Sequence, residues 1–176
     1  MSTPPLNAMT IDVEDYFHVE AFSKQVGRER WDDYPLRVES NTRCLLDLLD
    51  RHDVKATFFV LGWVARKAPR LIAEIAHRGH EIACHSLWHR LVYNLTPEEF
   101  RSYLREATSI IEDATQTKLL GYRAPTYSIT KQSLWALEIL AEEGYTFDSS
   151  VFPIRHDLYG YPEFVRFPVR VQCGHS

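Results

Sequence analysis

Two histidines, His85 and His89, stand four residues apart directly after the short apolar run Glu81-Ile-Ala-Cys84. If the chain turns helically there, both rings fall on one face and can share a metal ion. The plainer alternative is a pair of surface or loop histidines. Position favours the chemical reading, because α/β proteins build their sites at the C-terminal ends of parallel strands. Asp12, Arg123 and Asp148 hold equivalent places, each at or just past the end of a predicted strand, so that all four positions converge on one rim. Taken singly, such residues are caps or surface charges. Together, two acids, an arginine and a histidine pair suit a hydrolytic metal site. Two histidines and one carboxylate leave a zinc-like divalent ion with an open position for water, which the ion makes acidic. A second carboxylate outside the ligand set can take the water's proton as general base, with Arg123 paired to it and orienting it.

The elements that must present these residues alternate. Leu6 to Val13 reads as a strand ending in acid, and an aromatic-rich loop from Tyr16 to Pro35 follows, containing Phe17, His18, Phe22, Trp31 and Tyr34. Those rings could stack on a sugar, although packing against their own scaffold is the commoner use. A helix is expected from about Arg37 to His52, with Leu45, Leu46, Leu48 and Leu49 mainly on one side, then the strand Val54 to Val60, broken by Gly62. Pro69 suits the first turn of a helix that Gly79 stops, and the next strand delivers His85. Thr96-Pro97-Glu98-Glu99 combines an N-cap, an N1 proline and a capping-box glutamate, opening a helix through about Thr115. Lys118 to Tyr122 is a short strand ending at Arg123. Thr130 is expected to cap a helix stopped by Gly144, and Tyr145 to Phe147 is a strand ending at Asp148. Repeated βα units of this size call for a parallel sheet with right-handed crossovers, either doubly wound or a barrel.

A chain of 176 residues with 45% apolar and 25% charged residues can bury one core, and no linker, repeat or low-complexity tract divides it. A single domain over 1–176 is the expectation. The formal net charge of −4, with no basic run, argues against nucleic acid and anionic membrane surfaces. No stretch has the length and apolarity of a membrane span and the start lacks a signal-peptide pattern, which points to a cytoplasmic protein. Cys44, Cys84 and Cys173 are odd in number and far apart, and are expected to be buried small apolar residues rather than a disulfide framework.

With these residues in view, the chain resembles the polysaccharide deacetylases, the NodB-like carbohydrate esterases. The matching stretches are Thr10-Ile-Asp-Val-Glu-Asp15, Lys55-Ala-Thr-Phe-Phe-Val60, Gly79-His-Glu-Ile-Ala-Cys-His-Ser-Leu-Trp-His89, Arg123-Ala-Pro125 and Asp148-Ser-Ser150. The wording Asp-Val-Glu-Asp-Tyr-Phe-His and Arg-Ala-Pro-Thr-Tyr-Ser-Ile looks most like a subgroup associated with exopolysaccharide synthesis and exosortase clusters. The resemblance implies a distorted (β/α) barrel that removes N-acetyl groups from an amino-sugar polymer or oligosaccharide. It implies Asp12 as base, tethered by Arg123, with His85 and His89 as metal ligands, usually to zinc. An oxyanion-binding backbone N–H maps to Thr126, beside Pro125 and Tyr127 as substrate-binding positions.

Two departures from the family pattern stand out. The acids after Asp12 are Glu14 and Asp15 rather than an adjacent pair. Strand alternation puts Glu14 on the face of Asp12 and makes it the preferred third ligand, with Asp15 the alternative if the chain turns early. In addition, no late histidine motif follows Asp148, the residue that would orient and charge such a histidine as general acid. His156 comes too early, and His175 has no apolar strand to present it. The expectation is a member of the family truncated before its last motif, with an incomplete barrel and an exposed sheet edge. The competing readings are an allantoinase-like amidohydrolase acting on a small cyclic amide and a non-catalytic carbohydrate-binding remnant.

Overall fold

A computed structural model describes residues 7–173. Five short strands form one sheet: β1 Thr10–Val13, β2 Thr57–Val60, β3 Glu81–Cys84, β4 Gly121–Tyr122 and β5 Phe147–Asp148. Their spatial order is the chain order and every pairing is parallel. Each strand adds to the same side of its predecessor, whereas a doubly wound sheet reverses at a switch point. The sheet is therefore an incomplete (β/α) barrel, unclosed, with β1 and β5 as its edges among the described residues.

Five helices accompany the strands: α1 Val38–Arg51, α2 Gly62–Lys67, α3 Pro69–His77, α4 Pro97–Thr115 and α5 Trp135–Glu142. In α1 the buried face is Val38, Thr42, Leu46 and Leu49, while Leu45 and Leu48 face solvent, so the leucine run is split between two sides. The strand run ends before Gly62, as expected, and Gly62 also begins α2. A Cβ there would stand 3.0 Å from both Ala107 and Leu87, so the missing side chain lets α2 lie close against α4. The start of α4 is as expected: Glu99 N–H donates to Thr96 Oγ1 at 3.2 Å, and Thr96 N–H donates to Glu99 Oε2 at 2.9 Å. Thr130 does not cap α5. Its N–H donates to Ser133 Oγ at 2.9 Å in a preceding turn, and the helix begins at Trp135. Of the cysteines, Cys84 is buried, Cys173 is half-buried and Cys44 is exposed, which corrects the expectation that all three are interior.

The aromatic loop packs inward. Three short turns of 3-10 helix, at 16–18, 20–22 and 28–33, bury Phe17, His18 and Trp31 against Trp63 of α2. Asp15 anchors this arrangement. Its carboxylate accepts from Tyr16 N–H at 3.0 Å, Arg37 N–H at 2.6 Å and Val38 N–H at 2.9 Å, capping both the first turn and α1. Asp15→Ala strands these donors, one of them in a buried bond and two in part-buried ones, and is expected to cost about 3 kcal/mol. Urea denaturation should show a lower midpoint with an unchanged slope; an unchanged midpoint would remove Asp15 from this role.

Register fixes which side chains face inward. Asp12 is level with Phe59 and Ala83, and the strand alternation carries the Ala83 face on to His85 and the Gly121 face on to Arg123. Gly121 leaves room for the Phe147 ring, which would stand 2.0 Å from a Cβ at that position. On a flat sheet β1 and β4 would lie about 14 Å apart, three strand spacings. Arg123 nonetheless reaches Asp12 at 2.8 Å, its guanidinium carbon 4.0 Å from the centre of the Phe59 ring. The sheet is curled as a barrel wall, with Arg123 lying across its concave face. Beyond β5, residues 151–173 form no regular element and run beside α5, where Cys173 Sγ donates to Leu137 O at 3.6 Å. Val165, Phe167, Val169 and Val171 are exposed on this segment.

Candidate metal centre

The chain leaves β3 with His85 N–H still donating to Val60 O at 2.8 Å, so His85 is held as the next rung of the ladder. It does not then turn helically. Ser86 and His89 both take left-handed conformations, with φ of 68° and 50°, and the loop is pinned to the start of α2 by Gly62 N–H to Ser86 O at 2.8 Å and Trp63 N–H to Leu87 O at 3.1 Å. The two left-handed residues fold the loop back on itself. His85 and His89 end with ring centres 5.5 Å apart, the juxtaposition the helical expectation required, reached by another route.

Glu14 completes the group. Its Oε2 lies 3.0 Å from His89 Nε2, and one potential ligand atom from each of Glu14, His85 and His89 lies within 4.8 Å of the others. Asp15, the alternative acid, is committed to backbone N–H groups, leaving Glu14 to face the histidines. The His85 tautomer follows from its partner. Nδ1 lies 2.8 Å from the Arg123 carbonyl, which can only accept, so Nδ1 carries the proton and Nε2 presents a free lone pair. Burial pushes the His85 pKa down, favouring the neutral ring that a metal needs. For Glu14, burial acts to raise the pKa, but the hydrogen bond from His89 and the charges of His89, His85 and His18 outweigh it, and the net shift is downward. A half-buried carboxylate facing two buried imidazoles is a fitting donor set for a divalent ion.

Beside this cluster stands the Asp12–Arg123 pair. Arg123 Nη1 donates to Asp12 Oδ1 at 2.8 Å, while Nη2 donates to Thr10 Oγ1 and Ser149 Oγ, each at 3.0 Å. Arg123 is nearly buried, and its backbone is tied to β3 by its N–H to Cys84 O at 2.9 Å. Asp12 is outside the three-residue cluster and retains 30% side-chain exposure, so it is open to a water or substrate. Asp148 takes its bonds from Ser150, with the backbone N–H at 2.9 Å and the hydroxyl also donating, and burial raises its pKa to about 6. His156 does not reach it; that ring stacks on Tyr159 at 3.9 Å and accepts from Leu158 N–H at 3.1 Å. His175 lies outside the described residues.

Pro125, Thr126 and Tyr127 form a tight turn one residue beyond Arg123, with Thr126 and Tyr127 at φ of 53° and 50°. The Tyr127 ring turns toward Phe152 and Tyr159, with centres 5.1 and 6.0 Å away. Sequence reasoning missed Thr10 and Ser149, which hold Arg123 from strands distant in the chain and carry no signal of their own. It also left His18 as one ring among several in the aromatic loop, although its place three residues after the capping acid Asp15 was a usable signal. Cys84, next to His85 in sequence, is excluded as a nucleophile, because burial raises its pKa to about 12 and no thiolate is available.

A parallel barrel wall with its polar residues gathered at the strand ends defines an α/β barrel protein with a site on its C-terminal rim. The chain belongs to the polysaccharide deacetylase family, whose profile matches residues 29–147. It is 35% identical over 100 residues to a peptidoglycan-N-acetylglucosamine deacetylase of Bacillus cereus, covering 53% of this chain and 34% of that protein. It is 32% identical over 97 residues to a chitooligosaccharide deacetylase of a Bradyrhizobium species, covering 55% of this chain and 42% of that one. A solved Mycobacterium smegmatis structure assigned to the polysaccharide deacetylases superposes with a TM-score of 0.64 at 29% identity, over 82% of this chain and 50% of that chain. The chain thus spans less than half the length of these two curated relatives.

Proposed function

We propose that this chain carries the hydrolytic centre of a metal-dependent N-deacetylase acting on an acetylated amino-sugar polymer or oligosaccharide. The observation that carries the reading is the cluster of half-buried Glu14 with buried His85 and His89 beside the separate Asp12–Arg123 pair. Glu14, His85 through Nε2, and His89 would hold the ion, and zinc suits their nitrogen and carboxylate donors. A divalent ion there supplies the positive charge that polarises an amide carbonyl and acidifies a water. Asp12, aimed by Arg123, takes the proton of the attacking water. The Thr126 N–H offers a hydrogen bond to the carbonyl oxygen as negative charge grows on it. The subgroup resemblance favours an exopolysaccharide as the polymer.

One observation favours a second reading, carbohydrate binding with little turnover: among the described residues Asp148 takes its hydrogen bonds from Ser150 and none from a histidine. A general acid contributes about 10²- to 10⁴-fold, so a site working without one would release product slowly rather than not at all. Acetate release from N-acetylated chitooligosaccharide, measured with and without added zinc, separates the readings. Zinc-dependent release supports the deacetylase. Saturable sugar binding without release selects the binding reading, and ring opening of allantoin without acetate release would replace both with the small-amide hydrolase.

A further inference from the structure

Phe17, His18 and Trp31 of the first aromatic loop are buried in the core, but a second group of rings stands open beside the reactive pair. The Arg123 guanidinium carbon lies 5.8 Å from the centre of the Tyr127 ring. From Tyr127 the rings run on in contact: Phe152 and Tyr159 have centres 5.1 and 6.0 Å from it, and His156 lies 3.9 Å from Tyr159. The Phe152 and His156 rings are 12° and 14° from parallel with Tyr159. Phe152 is 37% exposed, His156 is exposed, and Tyr127 and Tyr159 are half-buried. The loop that carries three of these rings is closed on itself. At its base Tyr161 N–H donates to Phe152 O at 2.8 Å. Gly160, at a φ of 107°, passes so close to Ile154 that a Cβ would stand 2.2 Å from Ile154 O. Tyr93 Oη donates to Leu158 O at 2.9 Å, fastening the loop to the turn at 92–94 that follows the histidine loop. The rings are thus held in place before a ligand arrives, which lowers the ordering cost of binding.

Resting on the deacetylase reading above, we propose that Tyr127 and the 152–161 loop form a sugar-stacking subsite for an uncharged pyranose unit next to the one whose amide meets Asp12. The face of an aromatic ring is electron-rich, and the C–H face of a pyranose is apolar and weakly positive, so the two stack. Exposed apolar patches that adjoin a reactive site mark ligand grooves. This patch is continuous, through Tyr127, with the arginine that aims Asp12. A polymer lying at Asp12 therefore extends onto these rings with its neighbouring unit. A single sugar at Asp12 leaves Phe152, His156 and Tyr159 uncovered, so the subsite acts only on substrates of more than one unit.

The test is binding of N-acetylglucosamine and of N-acetylchitotetraose to the zinc-supplied parent chain, followed by the ring proton resonances of Phe152, His156 and Tyr159. Affinities are measured beside Tyr159→Ala, His156→Ala and Tyr159→Phe. The tetrasaccharide is expected to shift the three ring signals and the monosaccharide to leave them in place. Loss of one stacked ring should weaken tetrasaccharide affinity about 3- to 10-fold in each alanine variant, while Tyr159→Phe, which keeps the ring, retains it. Should Tyr159→Ala disturb the loop, the exposed His156→Ala and the parent's own ring shifts still decide. Tetrasaccharide binding that leaves the ring signals unmoved, parental affinity in both folded alanine variants, or no tetrasaccharide binding at all overturns the inference. Acetate release on the same samples judges the deacetylase reading separately. Shifted rings without zinc-dependent release take down that reading and leave a sugar-binding subsite, whereas release with unmoved rings takes down the subsite alone.

Discussion

His85→Ala/His89→Ala is expected to abolish metal binding: where the parent chain, purified and supplied with zinc, retains about one equivalent, the double variant should retain essentially none. Both rings are buried, and the His85 lone pair is already aimed by its bond to the Arg123 carbonyl, so the ligands are arranged before the ion arrives. A single carboxylate cannot replace them. Stability gives a second reading of the same event. Free zinc at 100 times its dissociation constant should stabilise the parent by about 2.7 kcal/mol and the variant not at all. The variant also loses a partner for the Arg123 carbonyl, so its fold must be checked by circular dichroism before its metal content is interpreted. Elemental analysis of a folded parent that stays metal-free in excess zinc would end the metal-centre reading for this chain.

Asp12→Asn should separate binding from chemistry. Asparagine keeps the size of the side chain and an oxygen to accept from Arg123 Nη1, but it cannot take a proton from water. Turnover of an acetylated chitooligosaccharide is expected to fall about 10²- to 10⁴-fold while bound metal remains near one equivalent, because Asp12 stands outside the Glu14, His85 and His89 cluster. Loss of metal in Asp12→Asn would make Asp12 a ligand, and undiminished turnover would remove it as the base.

The architecture was legible because its signals are local. The Thr96 to Glu99 capping box, Pro69 at a helix start and Gly79 at a φ of 78° each mark a boundary through a short-range bond or a backbone conformation that few residues tolerate. Strand ends followed from those boundaries, and with them the convergence of Asp12, His85 and Arg123. What escaped were features that depend on contacts across the chain. Nothing in the sequence marks the pair of left-handed conformations at Ser86 and His89, so a helical turn was the route considered for bringing the two histidines together. Gly62 was legible as the end of a strand but not as the place where α2 meets α4, because its close neighbours, Leu87 and Ala107, are remote in sequence. Strand alternation preferred Glu14 over Asp15 beside the histidines, but the backbone donors at Tyr16, Arg37 and Val38 that occupy Asp15 left no mark in the sequence. The split of the α1 leucines between core and solvent likewise depends on the angle at which that helix meets the sheet.

The reach of Arg123 across the sheet has a consequence for how the protein is made. Strands β1, β2 and β3 can assemble progressively during synthesis, each new βα unit docking on the one before it. The bond from Arg123 to Asp12 joins residues 111 positions apart and skips two intervening strands, so it closes only after β4 has docked and the wall has curved. Contacts of that separation carry the largest loop-closure entropy and form late. The nascent chain can therefore assemble its first three strands before the Arg123–Asp12 pair can form, and that pair is a late product of folding rather than a seed for it.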